Sequence, residues 1–146
     1  MILVDATDQI LGRMASIVAK RLLEGEQVTI VNAEKAIITG DPTRVKEKFK
    51  TKFDLARVVN PRRGPFFPRT PDRIVSRAIR GMLPWSKPRG KEAFRRLRVY
   101  RGVPEELKGQ SFTSFPEASA KRLGTRKFVR VGEVSVSLGI KQEAVF

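Results

Sequence analysis

The chain has 146 residues, 40% of them apolar, enough for one ordinary domain with a hydrophobic core. It holds no cysteine and no histidine, which excludes disulfides, thiolate metal sites, the usual general base and the commonest zinc ligand. Thirty Lys and Arg against 15 Asp and Glu give a net charge of +15, an excess that opposes compaction unless a polyanion neutralises it.

In chain order, the first element is Ile2-Leu3-Val4, a short apolar strand ending at Asp5. Met1 to Ala6 is too short for a signal-peptide core and Val28 to Val31 too short to span a bilayer, so the chain reads as soluble. Leu11, Met14, Ala15, Val18, Ala19 and Leu22 fall on one face of a helix, with Asp8 the expected N-cap and Gly25 the expected residue just past its end. Val28-Thr29-Ile30-Val31 follows as a buried strand, parallel to the first through a βαβ crossover, and Ala36 to Thr39 forms another short strand. Asp41-Pro42 opens a second helix, with Asp as N-cap and Pro at the first position. Its lysines point outward and leave Val45, Phe49 and Phe53 to pack inward.

Charge then changes abruptly. Residues 1–40 carry a net −1, whereas residues 57–101 hold 14 basic and two acidic side chains, +12 of the total. Within residues 57–72, Pro61, Pro65, Pro68 and Pro71 forbid a regular helix, which predicts an extended arm presenting Arg57, Arg62, Arg63 and Arg69. A planar guanidinium suits this work because it can both chelate a phosphate and stack on a base. Phe66 and Phe67 either stack on unpaired bases or anchor the arm to its own domain, and the sequence leaves both open.

Thr70-Pro71 starts the next helix, with Arg73, Arg77 and Arg80 on one face and Ile74, Val75, Ala78, Ile79 and Met82 on the other. Gly81 and Pro84 close it. A turn through Trp85, Lys87 and Arg89 leads to a further helix, where Lys91, Arg95 and Arg98 repeat the basic spacing opposite Ala93, Phe94 and Leu97. Arg96 and Arg101 complete the basic set. A merely solvated surface mixes both signs, so two successive basic faces with almost no acid between them point to nucleic acid. RNA is favoured over DNA. No helix-turn-helix or zinc-finger pattern is present, and extended Pro/Arg arms suit irregular folded RNA.

Beyond residue 101, Ser114-Phe115-Pro116 is expected to open a helix to about Leu123. Phe128 to Val131 reads as a strand and Gly132 to Leu138 as a last short helix. The whole reads as one α/β domain over residues 1–146, with residues 57–101 a basic RNA-binding insertion within it. Two other function classes compete with this one. Asp5 at a strand end with Gly12 opening a helix faintly suggests a nucleotide enzyme, but no Gly-x-Gly-x-x-Gly or Walker A motif follows. Asp5 and Asp8 are expected instead to end the strand and cap the helix. The helix bearing Lys46, Lys48, Lys50 and Lys52 is basic enough to meet acidic lipid, but has only Phe49 and Phe53 for insertion. The expectation is therefore no catalytic residue, cofactor, metal, membrane or small-molecule substrate.

The run Arg80-Gly81-Met82-Leu83-Pro84-Trp85-Ser86-Lys87-Pro88-Arg89-Gly90-Lys91-Glu92-Ala93-Phe94-Arg95-Arg96-Leu97-Arg98-Val99-Tyr100-Arg101-Gly102-Val103-Pro104 closely resembles the universal large-ribosomal-subunit protein thirteen family, in its archaeal and eukaryotic form. Val4-Asp5-Ala6, Leu11 to Ser16, Val31 to Glu34, Gly64-Pro65-Phe66 and Arg69-Thr70-Pro71 add to the likeness, which covers residues 1 to about 108 and is weak beyond. The resemblance implies a three-layer α/β/α domain around a mainly parallel four-stranded sheet. It also implies binding to large-subunit ribosomal RNA, contact with neighbouring ribosomal proteins, a part in subunit assembly, and a cytoplasmic location in the large subunit. The short C-terminal part fits the archaeal type. Family members commonly carry histidine near Phe67 and at Trp85; tryptophan keeps the stacking capacity and loses a pH-sensitive donor.

Overall fold

The computed structural model describes residues 1–55 and 59–145, so Arg57 lies outside the described residues. Among the described residues there are five strands: β1 (Ile2–Asp5), β2 (Val28–Val31), β3 (Ile37–Thr39), β4 (Leu97–Val99) and β5 (Phe128–Arg130). The helices are α1 (Leu11–Leu23), α2 (Pro42–Asp54), α3 (Pro71–Gly81), α4 (Pro88–Arg95) and α5 (Val131–Ser137).

β2 is buried at all four positions, as a strand covered on both faces must be, and it is the middle strand of a parallel sheet ordered β1-β2-β4. Ile2 aligns with Val28 on one side and Leu97 with Val28 on the other. The mixed α/β class is as expected; the four-stranded sheet is not. Among the described residues three strands form it, and the outer edge of β1 carries only a single bridge, where Thr113 N–H donates to Leu3 O at 2.8 Å and Asp5 N–H to Thr113 O at 3.1 Å. β3 and β5 form a separate antiparallel pair, Ile37 opposite Arg130.

β4 is a second correction. The spacing predicts that Leu97 and Arg98 continue a helix, but α4 ends at Arg95. The open edge of β2 captures the chain instead: Val28 N–H donates to Arg96 O at 3.2 Å and Tyr100 N–H to Ile30 O at 2.8 Å. Pairing with a buried strand outweighs the local helical pattern. The basic stretch thus supplies the third strand of the central sheet.

α1 buries the predicted face, Leu11, Met14, Ala15, Val18, Ala19 and Leu22. It closes as predicted, with Gly25 at φ 101°, Gly25 N–H on Leu22 O and Glu26 N–H on Arg21 O, both 3.2 Å. Its start differs. Ile10 takes the N-cap position, while Asp8 sits in the left-handed region at φ 54° and directs its carboxylate to Arg130 at 3.2 Å. α2 begins as expected, Asp41 accepting from Thr43 N–H at 3.0 Å with Pro42 at the first position. Val45, Phe49 and Phe53 lie half-buried against the core.

α3 packs on α1 through Ile74, Val75 and Ile79, each contributing roughly 1.5–3 kcal/mol by burial. Met82, expected among them, is 44% exposed, because the helix ends at Gly81 and the chain turns; Leu83 is buried instead. The expected helix over Ser114–Leu123 is two short 3-10 turns, Pro116–Ala118 and Ala120–Arg122. Its backbone groups are used elsewhere: Ile10 N–H donates to Ala118 O and Ala120 N–H to Asp8 O, which holds Ser119 extended between the turns.

Candidate nucleic-acid interface

The basic residues of the middle region divide by what their side chains touch. On α3, Arg73 and Arg77 are exposed and Arg80 is half-buried, all on the face away from Ile74, Val75 and Ile79. The Arg80 guanidinium lies 4.0 Å over the Trp85 ring, and Trp85 meets Phe94 of α4 edge-on, with centroids 5.4 Å apart at 86°. Arg77 lies 5.7 Å over Phe67 and donates to the Phe66 carbonyl at 3.5 Å. The end of the arm is therefore held against α3. It is also held from behind: Arg69 stacks 4.1 Å over Phe53 of α2, and the buried Ser135 hydroxyl of α5 donates to the Arg69 carbonyl.

The two phenylalanines differ in burial. Phe67 is half-buried and anchors the arm, whereas Phe66 is 69% exposed. Between the arm and α3 lies a cleft of about 310 Å³, with Phe66, Phe67 and Pro68 on one wall and Arg80, Trp85 and Phe94 on the other. Arg73 and Arg77 line it too.

The turn that carries Trp85 is fixed by glycine. Gly90 is buried, and a Cβ there would stand 2.1 Å from the Pro84 carbonyl oxygen, so no other residue fits without moving the start of α4. Lys87 is exposed just before α4, Lys91 and Arg95 are exposed on it, and Arg98 is exposed on β4 rather than on a helix. Arg62 and Arg63 are exposed on a 3-10 turn at Pro61–Arg63.

Three other predicted residues are engaged within the protein. Arg96 donates to Leu22 O at 2.9 Å and Arg89 to Leu23 O at 3.3 Å, both carbonyls at the C-terminal end of α1 where a cation opposes the helix dipole. Arg101 donates to Ala144 O at 2.7 Å and lies 3.7 Å from Asp72. That is the one ion pair found among the described residues for any basic side chain of the middle region; the others join residues outside it. The side chains of Arg62, Arg63, Arg73, Lys87, Lys91, Arg95 and Arg98 make no hydrogen bond or ion pair among the described residues. Among the described residues, Arg101 apart, this charge is not neutralised by the protein's own carboxylates.

Asp5, the residue that faintly suggested a nucleotide enzyme, has a structural environment. Its Oδ1 accepts from Thr7 N–H at 2.9 Å, Thr7 Oγ1 at 2.7 Å and Asn32 Nδ2 at 3.0 Å. Burial is the largest single influence on this carboxyl and pushes its pKa up; the hydrogen bonds from Asn32 and Thr7 and the nearby Lys35 charge outweigh it and hold the pKa below the ordinary value. Among the described residues there is no cluster of three metal-ligating side chains, and no helix is long and apolar enough to cross a membrane.

Sequence reasoning missed Phe94 and Pro68 as cleft residues and the Arg80–Trp85 stack. The only usable signal was the density of aromatics beside arginines. The stack itself depends on how the Pro84 turn folds back, which no periodicity encodes.

The structure defines a small basic α/β protein whose middle region builds both core and cationic surface. A family model described as Ribosomal protein L13 matches residues 1–106. Large ribosomal subunit protein uL13 of Archaeoglobus fulgidus is 50% identical over 139 residues, 94% of this chain and 87% of its own length. The proteins of the same name from Aeropyrum pernix and Methanococcoides burtonii are 48% and 47% identical, over 96% and 97% of this chain and 90% and 99% of their own. The chain belongs to the ribosomal protein L13 family, and these relatives are archaeal, as the resemblance implied. It is a family of ribosomal proteins and not of enzymes.

Proposed function

We propose that this chain is a cytoplasmic structural constituent of the large ribosomal subunit, binding large-subunit ribosomal RNA and supporting subunit assembly. The cationic side chains of residues 57–101 meet its phosphates. The observation that carries this reading is that seven exposed cations between Arg62 and Arg98 lack any protein partner among the described residues, although acids elsewhere pair freely with other cations. Unneutralised guanidinium groups held on helices and a tethered arm are suited to phosphate at fixed positions. Arg69, Arg77, Arg80 and Trp85 extend the surface, and Arg57 joins the reading from the sequence alone; Arg89, Arg96 and Arg101, tied to backbone carbonyls, border it. The three-layer arrangement and the contacts with neighbouring ribosomal proteins belong to the same reading; the relatives' names, proteins of the large ribosomal subunit, support the second of these.

Co-sedimentation tests it. Purified protein added to large subunits lacking it should sediment with them and be released by ribonuclease or high salt. Release by neither treatment, or failure to sediment, contradicts RNA as the partner.

A further inference from the structure

The cleft between the arm and α3 has a chemistry that phosphate binding alone does not call for. Its walls are aromatic and its rim is cationic. Phe66 is 69% exposed on one wall, while Trp85, at 36%, faces the cleft from the other with Arg80 stacked upon it. Both exposed aromatics are tied to neighbouring groups. The Trp85 ring is wedged by Phe94, and the Phe66 carbonyl is held by Arg77. A cleft of about 310 Å³ lies at the small end of the range for ligand sites, roughly 300–1,000 Å³. No carboxylate lines it.

Resting on the RNA-binding reading, we propose that this cleft takes one unstacked nucleobase of an RNA single strand or loop. The base enters between the Phe66 ring and the Arg80–Trp85 stack, and its flanking phosphates meet Arg73 and Arg77. Aromatic faces and guanidinium planes are the surfaces on which splayed bases stack, and because every base has a π-face the site accepts more than one base. A duplex cannot use the cleft, since its bases are already stacked and only its phosphates are on offer. An acidic peptide would satisfy the rim but leave the aromatic walls uncovered.

Trp85 is the only tryptophan of the chain, so its fluorescence reports on the cleft alone. The full-length protein is titrated with single-stranded oligoadenylate and, separately, with a perfect RNA duplex carrying the same number of phosphates. Oligoadenylate should quench Trp85 at saturation and the duplex should bind without doing so. Phe66→Ala, at an exposed position, should lower the ratio of single-strand to duplex affinity by about 5- to 150-fold. Equal quenching by both RNAs, or an unchanged ratio in Phe66→Ala, overturns the base site and leaves the phosphate-binding reading intact. If neither RNA binds even at low salt, both fall together.

Discussion

Residues 1–40 and residues 57–101 build the same sheet but differ in how they use charge. The first stretch is nearly neutral and gives β1, α1 and β2, whose buried faces form the core. The second carries +12, yet it also contributes core through Ile74, Val75, Ile79, Ala93 and Leu97. Its cations therefore split into two groups. Arg89 and Arg96 close the far end of α1, and Arg101 binds the backbone near the C-terminal end of the described chain. Among the described residues the rest have no carboxylate partner, and Arg62, Arg63, Arg73, Lys87, Lys91, Arg95 and Arg98 are exposed. A count of arginines overstates the surface available to a polyanion, and the structure says which ones to subtract.

The largest effect should come from the junction between the two regions. Gly90→Ala forces a methyl group against the Pro84 backbone, which cannot yield as a side chain could, and should destabilise by about 3 kcal/mol in chemical denaturation. A midpoint matching the wild type would mean that the turn holding Trp85 is not tightly packed.

Arg96→Ala and Arg98→Ala divide the neighbours sharply. Arg96→Ala removes a charge-assisted hydrogen bond to a helix end and should cost roughly 1.5–3 kcal/mol of stability. Arg98→Ala, exposed on β4, should change stability by no more than about 0.5 kcal/mol. It should instead reduce the salt slope of RNA binding by roughly one phosphate contact. The reverse pattern would show that the two arginines have been assigned to the wrong groups.

The smallest effect concerns Asp5 in the neutral region. Its folded pKa lies below its ordinary value of 3.8, so its contribution to stability is fully present above that value and is lost as pH falls through the folded one. Acid unfolding followed by circular dichroism should therefore show a shallower acid loss in Asp5→Asn than in the wild type. An identical acid limb in both would remove Asp5 from the linkage.

The neutral region was largely legible in the sequence, and for a physical reason. The apolar spacing of α1, the continuous apolar run of β2 and the Asp41-Pro42 start are local signals, each sufficient by itself. β4 was not legible. Three residues with an arginine in the middle carry no strand signature, and what makes them a strand is the open edge of β2, supplied by residues nearly 70 positions earlier in the chain. The same limit applies to the site. The Arg73, Arg77, Arg80 face follows from helical period alone, whereas Arg89 and Arg96 find their carbonyls 66 and 74 residues away. Asp8 failed as a cap for a related reason, since its partner Arg130 is 122 residues distant.

The central claim is that the partnerless cations of the middle region bind RNA phosphates. The salt dependence of RNA affinity, measured side by side for the wild type and for the triple variant Arg73→Ala, Lys91→Ala, Arg98→Ala, tests it most directly. With about six phosphates contacted, log affinity should fall against log salt with a slope of roughly −4 to −5. The triple variant should be shallower by roughly 2 to 3 while remaining folded. A flat dependence in the wild type, or one slope shared by both proteins, would contradict it.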